Sequence, residues 1–211
     1  MEIYIIFGIL TLTYVMVVTK RVRGLITGFQ FQSFFLFLLT AVEAWSGRSI
    51  ELGTVAALLL LVKVIGIPQL LSRMTDRVRA SEDLGLILNS QLSLVSGLLL
   101  TYLSWLFYSY VVRGHNLTEG IALSASLSII LMGLFLMIFR MKALSQIVGL
   151  LTMENGIFLL ASSLSGGMPF IVEIAIFFDV LMSVIILGMF VYRINKLFTH
   201  VDVSRMTHLR G

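Results

Sequence analysis

The chain has 211 residues, 58% of them hydrophobic and 12% charged, with a formal net charge of +4 at pH 7. Soluble domains carry about 25% charged residues, so this composition reads as an integral membrane protein with almost no length left for a soluble domain. There is no cysteine, and the three histidines, His115, His200 and His208, all lie outside the apolar runs. Thiolate-ligated clusters, Cys zinc sites, disulfides and an embedded bis-histidine haem are thereby excluded within the chain.

Seven apolar runs approach the ~20 residues that one crossing needs. The first, 3–19, follows Met1-Glu2 with no basic leader and no cleavage site, so it reads as a retained helix and not a signal peptide. Lys20-Arg21-Val22-Arg23-Gly24 closes it. The second, 25–45, ends at Trp45, a residue suited to the interface. The third, 51–71, contains Lys63 and Pro68. The fourth, 84–112, is long enough to tilt and starts behind the acids Glu82 and Asp83, which suit the positive end of a helix dipole. The fifth, 117–139, follows Asn116, which with Glu119 makes a capping-box-like start. The sixth, 143–164, and the seventh, 170–192, are joined by Ser165-Gly166-Gly167-Met168-Pro169, and the tail is 193–211.

Charge placement orients this set. The loops after runs one, three and five, together with the tail, hold twelve of the basic residues. The other loops hold Arg48 and Arg113, and Lys63 lies within a run. By the positive-inside rule the N-terminus is expected outside and the C-terminus in the cytoplasm. The basic balance therefore reflects orientation and not nucleic-acid binding. The expected fold is an all-α bundle of seven transmembrane helices in a prokaryotic plasma membrane. It divides into four additional N-terminal helices (1–112), a three-helix unit (113–192) and a cytoplasmic tail.

Three charged side chains fall near mid-depth, counting 1.5 Å per residue: Lys63, Glu154 and Asp179. Each costs about 2.5–3.5 kcal/mol at the bilayer centre on insertion scales, so all three are expected to face the bundle interior. Two readings follow: a proton pathway through Glu154, Asp179 and Lys63, or a buried ion pair that only fixes packing. Glu43 and Glu173, one turn from the outer ends of their runs, are secondary pathway candidates or hydrated interfacial acids. The amides Gln30, Gln32, Asn89, Gln91, Gln146 and Asn155 could line a wet half-channel or serve as interhelical hydrogen bonds. Gly149 and Gly156 thin run six, for tight packing or a local break. Ser93, Gly97 and Thr101, and likewise Ser124 and Ser128, recur at the four-residue spacing of close helix contacts. No nucleophile–base set, phosphate loop or metal-ligand cluster occurs, so no active site and no cofactor are expected in this chain.

The run Val148-Gly149-Leu150-Leu151-Thr152-Met153-Glu154-Asn155-Gly156 resembles the second helix of the small K subunit of respiratory complex I, which reads Gly-Leu-Glu-x-Met-x-Asn. Gly149, Leu150, Met153 and Asn155 match. The family glutamate falls on Leu151, and this chain carries its acid about one turn later on the same face, at Glu154. Asp179, fourteen residues before Arg193, fits the second family glutamate better than Glu173 does. The tail, with Asp202, Met206 and Arg210-Gly211, resembles the family ending. Four extra N-terminal spans on a K-like half resemble the hydrogenase-4 component E family of membrane-bound nickel–iron hydrogenase and formate hydrogenlyase-type complexes. That resemblance implies a subunit held between hydrogenase-side and antiporter-like membrane subunits, with metal centres in other chains. It also implies carboxylates that help couple electron transfer to proton translocation. A structural scaffold in the same complex and a Mrp-type cation/proton antiporter subunit are the alternatives.

Overall fold

The computed structural model describes residues 2–48, 50–78, 89–111 and 117–165. Apart from short connections these residues are helical, with no strand among them. The helices are α1 (Glu2–Val18), α2 (Val22–Gly47), α3 (Ile50–Leu59), a π-helical segment (Leu60–Gly66), α4 (Ile67–Val78), α5 (Ser90–Val111), α6 (Leu117–Phe139) and α7 (Ala143–Ser165). α3, the π segment and α4 run on as one rod, whose apolar part is Leu52–Thr75. Among the described residues, five helical spans are long and apolar enough to cross a membrane, and α1 is a sixth, shorter apolar helix of 17 residues. The chain is a multi-pass membrane protein by this measure. The seventh run, with Asp179 and Glu173, lies outside the described residues.

Punctuation explains the boundaries. α2 stops where Arg48 turns left-handed (φ 48°) and returns its N–H to the Ala44 carbonyl, a helix-ending conformation that costs a non-glycine residue some strain. α6 stops at Phe139, before the charged turn Arg140-Met141-Lys142. α6 and α7 then pack so closely that a Cβ on Gly133 would lie 2.6 Å from the Met153 nitrogen and 2.8 Å from the Gly149 oxygen. The glycines of run six therefore serve packing, and α7 is unbroken across them.

The rod containing the π segment departs from α geometry for a visible reason. Its buried positions include Val55, Leu59, Lys63, Ile67, Leu71 and Thr75, each four residues from the last. In an α-helix of 3.6 residues per turn, a four-residue step drifts ~40°, so Thr75 would face ~200° away from Val55. The wider turn of the π segment takes up part of that drift. This keeps both ends of the rod on the bundle.

The core falls into two apolar layers. One contains Met16, Phe29, Leu71, Met132, Leu136 and Val148. The other contains Ile9, Leu36, Leu59, Ile129, Phe158 and Leu159. Between them, in sequence position on each of four helices, lie buried polar residues: Thr13, Gln32 with Ser33, Lys63, and Glu154 with Asn155. The outer surface is apolar. α5 in particular turns Leu98, Leu99, Tyr102, Trp105 and Phe107 outward, the surface a bilayer covers.

Candidate functional site: a polar layer at mid-depth

Glu154 lies eleven residues from either end of α7, ~16 Å from each at 1.5 Å per residue. Lys63 lies at the middle of its rod, in the π segment. The structure brings the two together: Lys63 Nζ is 3.6 Å from Glu154 Oε1, with both side chains nearly inaccessible. The ion pair foreseen for Lys63 is thus made with Glu154. Lys63 Nζ also donates to Asn155 Oδ1 at 3.0 Å.

Asn155 connects this pair to the rest of the layer. Its Nδ2 donates to Gln32 Oε1 and to Ser33 Oγ, each at 3.1 Å. With both amide hydrogens used, Oδ1 is left to face the lysine. Gln32 Nε2 in turn donates to Thr13 Oγ1 at 2.8 Å, and the Thr13 hydroxyl donates to the Ile9 carbonyl at 2.8 Å. The result is a continuous polar path from Glu154 through Lys63, Asn155 and Gln32 to Thr13, across four helices. Every member is buried, so each bond is stronger than in water and each unmade one would be costly.

Two satellite groups mark the ends of the bundle. Toward one end, Ser162 Oγ donates to the Glu43 carboxylate at 3.2 and 3.3 Å. Glu43 is half-buried there and does not join the central layer. At the other end Arg140 is buried, 2% exposed. Its Nη2 donates to the carbonyls of Val17 at 2.8 Å and Met16 at 3.3 Å, the last turn of α1. Burial lowers the Arg140 guanidinium pKa to about 10, which leaves it charged at neutral pH. Charge counting placed Arg140 in a loop as an orienting residue; the structure makes it a helix cap as well. Its position directly after an apolar helix was the only hint. Ser33 and Thr13 were also missed, since isolated hydroxyls within apolar runs usually bond their own helix.

The amides divide. Gln30 donates to the Val64 carbonyl at 3.1 Å and Gln146 to the Arg140 carbonyl at 3.1 Å, so with Gln32 and Asn155 they serve as hydrogen bonds in the fold. Asn89 and Gln91 are exposed. The small residues of α5 make a real contact: Tyr14 bonds to Thr101 and to the Gly97 carbonyl. Among the described residues no group of three or more His, Asp or Glu gathers as a metal site.

The chain is similar to the uncharacterized protein Rv0085 of Mycobacterium tuberculosis, with 29% identity over 208 residues, covering 96% of this chain and 93% of that protein. No family model matches the chain, and no solved structure matches it.

Proposed function

We propose that this chain is a membrane subunit of a group 4 nickel–iron hydrogenase or formate hydrogenlyase-like complex, helping to couple electron transfer to proton translocation. The observation that carries this reading is the Lys63–Glu154 pair inside a polar layer enclosed by two apolar ones. An ionisable pair at that depth marks a proton or ion pathway by default. The chemistry is simple. A proton arriving on Glu154 neutralises the carboxylate and weakens its hold on the Lys63 ammonium. Asn155, fixed by Gln32 and Ser33, keeps Lys63 within reach, so the displaced charge has one defined direction in which to act. Amides do not relay protons as hydroxyls do, so Asn155 and Gln32 orient the path, while Lys63, Glu154 and, beyond the described residues, Asp179 are its charged members. Hydrogenase-side and antiporter-like membrane subunits are the partners this role requires.

The decisive experiment is Glu154→Gln in the intact complex, with electron transfer and proton translocation measured together in vesicles. The expected result is electron transfer retained and the proton yield reduced by at least half. An unchanged proton yield would leave only a scaffold. The same pair favours that second reading at one point: Lys63 and Asn155 cross-link two helices, which an assembly subunit also needs.

A further inference from the structure

The π segment and the lysine within it depend on one carbonyl. Pro68 is buried in the first turn of α4. Proline has no N–H, and its ring crowds the carbonyl four residues back. That carbonyl belongs to Val64, the residue after Lys63. In an α-helix the N–H of residue 68 would return to this carbonyl, and in the i to i−5 pattern of the π segment, as Ile67 N–H makes to the Val62 oxygen, it would return to the Lys63 carbonyl; with proline at 68 neither bond can form. A main-chain carbonyl left unpaired in a membrane interior costs several kcal/mol. Gln30 supplies the missing donor from α2, with Nε2 3.1 Å from the Val64 oxygen.

We infer that Gln30 is a positioning residue for Lys63. It acts by satisfying the carbonyl that Pro68 orphans, and so holds the π segment in the register that keeps the ammonium on Asn155. Three observations converge on this. Lys63 and Val64 are adjacent and both buried, so a bond fixing one carbonyl restrains the other's backbone. The buried face of the rod runs at four-residue steps, which an unmodified α-helix cannot hold, and a turn of ~100° per residue would take Lys63 off Asn155 after a single-residue slip. Finally, Gln30 and Gln32 divide their work: Gln32 reaches Asn155 directly, and Gln30 reaches the lysine's own backbone. α2 thereby fixes both partners of the Lys63–Asn155 bond.

The inference concerns the same lysine as the proposed proton path but does not depend on proton movement. It is read by solid-state NMR of the full chain in liposomes, as dipolar contact between 15Nζ-labelled lysine and the side-chain carbonyl of 13C-labelled asparagine. The Lys63 signal is identified by its loss in Lys63→Met. The wild type is expected to show the contact. Gln30→Met, of similar volume but with no donor, is expected to lose it. Adding Pro68→Ala gives residue 68 an N–H of its own, and the double variant is expected to regain the contact. A space-filling role for Gln30 would not respond to Pro68→Ala. Contact retained in Gln30→Met overturns the inference, as does contact still absent in the double variant. If Gln30→Met does not fold, the double variant decides: folded with the contact supports the inference, and unfolded overturns it.

Discussion

At the residue scale, Lys63 and Glu154 answer for each other. Removing one leaves the other charged in a dry layer, and breaking a buried pair in this way costs about 3–5 kcal/mol, whereas removing both is often far milder. Lys63→Met and Glu154→Gln are each expected to destabilise the purified protein, and the double variant less than their sum. The expected coupling is about 1–3 kcal/mol, as for residues in direct contact. Thermal unfolding in one detergent, across the four variants, measures it. Additive effects would mean that the 3.6 Å approach contributes nothing to the fold. Lys63 and Glu154 were legible because a charge inside an apolar run is conspicuous. Their pairing was only one of the options, since depth along the bilayer leaves the direction around each helix open. Asn155 was noticed as a neighbour of Glu154, but its place as the hub of the layer needed Gln32 and Ser33 brought alongside by α2.

At the element scale, α6 was read to the residue, because Asn116 and Glu119 announce its start and Arg140 its end. The π segment could not be read. Pro68 lies in plain view within the third run, but what the helix does about it depends on Gln30, thirty-four residues before Val64 in sequence and on a different crossing. Of the two readings left open for Gly149 and Gly156, tight packing or a local break, the α6–α7 contact is the first. The two helix backbones meet at Gly133 and Gly149, so Gly133→Ala would drive a methyl group to 2.6 Å from the Met153 nitrogen. Backbone atoms cannot swing aside as a side chain can. The expected cost is about 1–3 kcal/mol, the range for overpacking. Gly53→Ala is the matched control. It sits within α3, where an added Cβ meets nothing within 4 Å, and the gain in helix propensity should stabilise by up to about 1 kcal/mol. Opposite signs for the two substitutions in the same unfolding assay would confirm that contact, not propensity, decides at Gly133.

At the scale of the whole molecule, the described helices alternate in direction. Ser90 Oγ donates to the Val18 carbonyl and Arg140 reaches Val17, so the end of α1, the start of α5 and the end of α6 share one face of the bundle. Lys20, Arg21 and Lys142 flank that face, and Arg48 lies at the opposite end of α2. The positive-inside rule assigns the Lys20 face to the cytoplasm. The lack of cysteine makes this directly testable, because every introduced thiol is the sole one. Gly47→Cys is exposed and its added Cβ meets nothing within 4 Å. It is expected to react with a membrane-impermeant maleimide in intact cells. Lys20→Cys and Met141→Cys, both exposed, should react only after the membrane is opened. The reverse pattern would invert the molecule; reaction of all three from one side would break the alternation. Ser204→Cys in the tail then tests the seventh run, 170–192. Protection like that of Lys20→Cys means that the run crosses and carries Asp179 into the bilayer. Labelling like that of Gly47→Cys means that it does not, and the proton path would then have to leave the Lys63–Glu154 layer without that second acid.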